Sequence, residues 1–139
     1  MSVNYLGFDY GKRSIGVAVG QALTKDAQAV GCVAATKGVP DWKAIDALVK
    51  TWDPKAFVLG YPLNMDGSEQ SLGRALKVFA NNLHTRYQLP YYWCDERLTT
   101  YEAKRAYRHS RRQPAKAALD AQSAQVILHH WLQQNDAIE

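Results

Sequence analysis

Along this chain, apolar and polar positions first follow the period of strands and then that of helices. Val3 to Asp9 and Ser14 to Gly20 are short apolar runs around a glycine-bearing turn, and a third covers roughly Ala29 to Ala35. Links this short suit antiparallel pairing, so three antiparallel strands are predicted first. From Asp41 the apolar residues Trp42, Ile45, Leu48, Val49 and Trp52 fall at helical spacing, with Pro40 suited to the helix start and Asp53-Pro54 ending it. Lys55 to Gly60 then reads as a short buried strand. Leu72, Leu76, Phe79 and Leu83 mark one face of a second helix, whose first turn Gly73 weakens. Pro90 introduces a fifth strand, Tyr91 to Cys94, that terminates in Asp95-Glu96. Thr99 and Glu102 have the spacing of a capping box, predicting a helix that Gln113-Pro114 breaks, and a last helix runs from about Ala115 to Gln134.

This order predicts an α/β fold: a mixed five-stranded sheet, three antiparallel strands then alternating helices and strands, with helices on both faces, as in the ribonuclease H-like fold. The 139 residues, 47% of them hydrophobic, suit one domain over 1–139 with a core of ordinary size. The net charge of +4 is modest but unevenly spread. Between Arg97 and Lys116 stand Arg97, Lys104, Arg105, Arg108, Arg111, Arg112 and Lys116 against the single acid Glu102, a local balance of +6 that leaves −2 elsewhere. A basic patch this concentrated points to a polyanionic partner. Cys32 and Cys94 lie in apolar runs without metal-type spacing, and the chain lacks a secretion signal or a span-length apolar run, so a cytoplasmic, non-membrane protein is expected.

Acids at three places in the chain carry the candidate chemistry. Asp9 closes the first strand beside the turn Gly11 to Gly16, where little side-chain bulk lets an anionic substrate approach the backbone. Asp95-Glu96 stands at another strand end. On the last helix, Ala117, Ala121, Ala124, Leu128 and Trp131 form an inward stripe, and Asp120 borders it one turn before Ala124. An acid there is costly unless paired, hydrogen-bonded or metal-bound. If that helix crosses the strand ends, Asp9, Asp120 and the Asp95-Glu96 pair share one shallow site. Clustered carboxylates without a His or Cys cluster suit magnesium or manganese, and two such ions about 4 Å apart can serve phosphodiester hydrolysis. The basic segment, with Lys12 and Arg13, would then grip nucleic-acid phosphates, reading shape rather than sequence.

Gly7-Phe8-Asp9-Tyr10-Gly11-Lys12-Arg13-Ser14-Ile15-Gly16-Val17-Ala18, then Leu59 to Ser68 (Leu-Gly-Tyr-Pro-Leu-Asn-Met-Asp-Gly-Ser), then Asp95-Glu96-Arg97-Leu98-Thr99-Thr100, resemble the successive motifs of the YqgF/RuvX family. The Asp120 helix with Val126-Ile127-Leu128 resembles its fourth motif, so the likeness covers nearly the whole chain in order. The resemblance implies a ribonuclease H-like nuclease related to Holliday junction resolvases, with a role in maturing the 5′ end of small-subunit (16S) ribosomal RNA. It also implies that the family's acids fall on Asp9, on Glu96 or its neighbour Asp95, and on Asp120. Gln122 and Ser123 depart from the small apolar residues usual after that last acid.

Each feature also has an ordinary structural explanation. Asp9 can close a turn, Asp95-Glu96 can be a solvated strand end, Asp120 can favour its helix through the macrodipole, and a basic run can be a solvated face. Trp42, Trp52, Trp93 and Trp131 read as core rather than as base-stacking platforms, and the four histidines as surface or helix-end residues. Besides an rRNA nuclease, the residues admit a DNA junction resolvase, a non-catalytic RNA-binding assembly factor and a nucleotide-binding ATPase. The chain is short for the two lobes the ATPase needs.

Overall fold

A computed structural model describes residues 3–61, 70–95 and 116–135. Among these, six strands form one sheet: β1 (Asn4–Asp9), β2 (Ser14–Gln21), β3 (Ala27–Thr36), β4 (Val39–Pro40), β5 (Ala56–Tyr61) and β6 (Tyr91–Asp95), in the order β4-β3-β2-β1-β5-β6. β1 pairs antiparallel with β2, β2 with β3 and β3 with β4, whereas β5 and β6 extend the sheet in parallel beyond β1. Helices α1 (Trp42–Trp52), α2 (Gln70–Tyr87) and α3 (Lys116–Gln134) complete the described elements. The five expected strands are all present, and the architecture is the expected mixed α/β sheet with helices on both faces.

Strand alternation divides the core between the faces. Leu6, Phe8, Ile15, Val17, Phe57 and Leu59 pack with Ile45 of α1 and Leu76, Phe79 and Leu83 of α2. Tyr5, Ala18, Ala56, Val58 and Cys94 pack on the opposite face with Ala124, Ile127, Leu128 and Trp131 of α3. Phe79 centres the first cluster, its ring meeting Phe8 edge-on at 5.5 Å and lying beside Tyr10 at 5.1 Å and Trp42 at 5.9 Å. Full burial of such a ring contributes about 1.5–3 kcal/mol. Asp46 of α1 ties the helices of this layer together, accepting both guanidinium bonds of Arg86 at 2.7 and 2.8 Å and the Tyr87 hydroxyl at 2.5 Å.

Three details differ from the sequence reading. Pro40 does not start α1: it lies in β4, a strand beyond the five expected, and pairs with Ala35 of β3, while Asp41 caps the helix by accepting the Lys43 N–H. β3 begins two residues before the expected Ala29 and carries a bulge opposite Val17/Ala18, an irregularity that breaks the apolar alternation. Trp93 is not core: it is 38% exposed at the sheet edge, edge-on to Tyr61 and Tyr91. Trp131 is buried, and Trp42 and Trp52 are partly so, as expected. No described helix is long and apolar enough to cross a membrane. The Pro62–Ser68 loop, Glu96, and the expected helix with its basic residues Arg97 to Arg112 lie outside the described residues.

Candidate active site

The site is built where α3 lies across the β1–β2 hairpin. Asp9 pairs with Gly16 at the closing end of that hairpin. At Gly16 helix and strand meet backbone to backbone: a Cβ there would lie 1.9 Å from the Asp120 carbonyl oxygen and 3.0 Å from the Ala121 nitrogen. Only a residue without a side chain permits this approach, and it brings Asp120 over the hairpin. The Ser14 hydroxyl, two residues from Gly16 and so on the same strand face, donates to Asp120 Oδ2 at 2.6 Å.

Asp9, Tyr10, Gly11, Lys12, Arg13, Ser14 and Asp120 together line a cleft of about 280 Å³. The half-buried Cys32 of β3 borders it. Burial pushes its thiol above the usual range, and the nearby Asp120 and Asp9 carboxylates push the same way against the pull of its Ser14 hydrogen bond. The Cys32 thiol is therefore a poor nucleophile at neutral pH.

The hairpin turn is fixed from its other side. The β3–β4 turn places Lys37 and Gly38 at φ of 52° and 85°, the paired left-handed conformation of a type I′ turn. Gly38 donates its N–H to the Lys12 carbonyl at 2.9 Å, and its own carbonyl accepts the Tyr10 hydroxyl at 2.5 Å. The Arg13 carbonyl accepts the Ala35 N–H at 2.9 Å. Burial raises the Tyr10 hydroxyl above its ordinary range, so it stays protonated as the donor this bond requires.

Of the residues singled out from sequence, the structure thus brings Asp9, Lys12, Arg13 and Asp120 to one cleft. β6 ends at Asp95, opposite Tyr61 of β5, at the same end of the sheet as Asp9 of β1. Among the described residues, no group of three or more His, Cys, Asp or Glu side chains is arranged to hold a metal ion. The lining offers two carboxylates and the hydroxyls of Ser14 and Tyr10, with no imidazole or thiol. That donor set fits magnesium or manganese. Sequence reasoning does not reach Ser14, Tyr10 or Cys32 as site residues. The signal for Ser14 is the small-residue alternation Ser14, Gly16, Ala18, Gly20, which marks the strand face that a helix approaches.

A mixed sheet of this order, with one carboxylate ending its first strand and another on a helix crossing that strand, defines the ribonuclease H-like class. The chain belongs to the YqgF/RuvX family: the family described as "RuvX: Holliday junction resolvase" matches residues 3–134. A Coxiella burnetii protein described as "Putative pre-16S rRNA nuclease" is 48% identical over 129 residues, 93% of this chain and 92% of that protein. One of the same description from Azotobacter vinelandii is 47% identical over 135 residues, 95% and 94% of the two chains. Among solved structures, Thermus thermophilus RuvC in complex with a Holliday junction substrate superposes with a TM-score of 0.57 at 15% identity, covering 95% of this chain and 94% of that one. The yeast mitochondrial Holliday junction resolvase Ydc2 gives 0.55 at 10% identity, covering 93% and 77%. These structural likenesses speak for the fold.

Proposed function

We propose that this chain is a single-domain, metal-dependent nuclease that hydrolyses phosphodiester bonds in structured RNA, processing the 5′ end of pre-16S rRNA during ribosome biogenesis in the cytoplasm. The observation that carries the reading is the meeting of Asp9 and Asp120 in one cleft beside the basic Lys12 and Arg13. The descriptions of relatives alike over more than nine-tenths of the chain support the substrate. In this reading Asp9, Asp120 and Glu96, or its neighbour Asp95, hold Mg2+ or Mn2+. When bound, the ion supplies Lewis-acid stabilisation of the phosphate and a water activated for attack. Ser14 keeps the Asp120 carboxylate aimed by its 2.6 Å bond. Lys12 and Arg13 meet phosphates at the cleft, and the Arg97–Lys116 segment extends the grip on the backbone.

Replacing Asp9 by Asn tests the proposal. Magnesium-dependent cleavage of a pre-16S rRNA 5′ fragment should vanish while RNA binding is kept within a few-fold, and unchanged cleavage would remove the reading. The family's own description favours a second substrate, a four-way DNA junction. Side-by-side cleavage of the junction and the rRNA precursor separates the two.

A further inference from the structure

On the far side of Tyr10 from the cleft lies a second concavity of about 190 Å³, lined by Tyr10, Lys37, Val39, Trp42, Val78 and Asn82 among others. Val39 is 62% exposed and Val78 58%. Two of the five large hydrophobic side chains exposed among the described residues thus face one groove, a pairing that scattered surface apolar residues do not show. Asn82 is exposed there with an amide that can both donate and accept.

The surroundings are basic. Lys37 is exposed in the groove wall, and α2, which carries no acid from Gln70 to Tyr87, adds exposed Arg74 one position before the lining Ala75. Neither cation has a carboxylate partner among the described residues. The acid nearest Lys37 in sequence, Asp41, is engaged in capping α1.

Tyr10 lines both the groove and the Asp9–Asp120 cleft. Its hydroxyl bond to Gly38, and the Gly38 bond to Lys12, fix the Lys37–Val39 wall to the turn that carries the site.

We propose that this groove is a second nucleic-acid subsite, which takes the single-stranded segment of substrate leaving the cleft. An unstacked base lies between Val39 and Val78, its edge reaches the Asn82 amide, and the adjoining phosphates meet Lys37 and Arg74. An apolar slot with an amide at its edge and cations beside it suits a splayed base on a polyanionic backbone. A peptide seated on the valines alone would leave the cations unanswered. The inference rests on the nuclease reading for its choice of strand.

The test is one of binding, so it does not depend on cleavage. Asp9→Asn protein would be irradiated with an RNA stem carrying a 4-thiouridine-substituted single-stranded 5′ extension, and the adducts mapped by mass spectrometry. Adducts should fall in the peptides carrying Lys37 to Trp42 and Ala75 to Asn82. Lys37→Glu and Val78→Asp should each weaken binding of the extended RNA at least five-fold and leave the blunt stem unchanged. Lys37→Ala should lower the slope of log affinity on log salt by about 0.7 for each phosphate left without its cation. Both altered side chains are exposed, so thermal midpoints close to that of the parent protein would show intact folding. Adducts confined to other peptides, or variants that bind both RNAs as the parent does, would overturn the subsite even if the nuclease reading stood. Cross-linking in the groove without any metal-dependent cleavage by the parent protein, which keeps Asp9, would uphold the subsite and fail that reading.

Discussion

Replacing Gly16 by Ala puts the site's architecture to its most direct test. In an ordinary strand this change reduces the freedom of the unfolded chain and stabilises by about 0.4–1 kcal/mol where the native backbone accepts it. Here the added Cβ meets the Asp120 carbonyl oxygen at 1.9 Å, against an ordinary contact of 3.4 Å, so α3 must retreat by about 1.5 Å. The obstacle is backbone, which cannot rotate aside as a side chain would. Overpacking of this kind costs about 1–3 kcal/mol. A retreat of that size also carries Asp120 out of reach of Ser14, now at 2.6 Å, and a hydrogen bond to a charged group is worth about 1.5–3 kcal/mol. Together the loss is on the order of 2.5–6 kcal/mol, a large part of the roughly 5–15 kcal/mol of a domain. Cleavage should fall further, because a displacement near 1 Å at a catalytic group costs about 100-fold. Gly73→Ala supplies the opposite sign: among the described residues its Cβ meets only the Tyr61 hydroxyl, at 3.8 Å, and the change should stabilise α2 by up to about 1 kcal/mol. Urea denaturation of both variants, with cleavage of the rRNA fragment, gives the comparison. A Gly16→Ala protein as stable and as active as the parent would refute the close approach of α3 and the site built on it.

Ser14→Ala leaves the Asp120 carboxylate without its hydroxyl donor, and the cleavage rate should drop about tenfold or more with RNA affinity unchanged; equal loss of both would show a general structural role instead. Asp46 is held at about 2, below the usual carboxylate range, first by its hydrogen bonds from Arg86 and then by that from Tyr87. A folded value depressed in this way gives stability that is present above the unfolded value near 4 and lost as pH falls toward 2. Urea midpoints of Asp46→Asn should therefore fall less steeply than the parent's across that window, and parallel curves would count against the Arg86 pair. For the basic segment, Arg111→Ala with Arg112→Ala should weaken RNA binding nearly uniformly across sequences and flatten its salt dependence, as fluorescence anisotropy over a salt series would show.

Much of the fold could be read from the chain because its signals are local. The alternation in β1 and β2, the helical spacing from Trp42 to Trp52 and the inward stripe of α3 each follow from side-chain direction within one element. Ala121, Ala124, Leu128 and Trp131 are buried as that stripe requires. Pro40 misled because its fixed φ suits a helix start and an edge strand alike, and the choice was made by its pairing with Ala35. Trp93 misled because an aromatic in an apolar run reads as core, whereas β6 stands at the sheet edge.

For the site, sequence determined the kinds of group available: an acid at the end of a strand, an acid beside a helix stripe, cations at the turn and a basic segment. It could not determine that Asp9 and Asp120 share a cleft, since 111 positions separate them and no local period spans that distance. Tertiary structure decided this through the backbone contact of α3 at Gly16, with Ser14 fixing the carboxylate. It also decided that Tyr10 would join that cleft to the groove of Val39 and Val78. Local chemistry chooses which residues can bind and cleave, but only packing between distant elements chooses which of them meet.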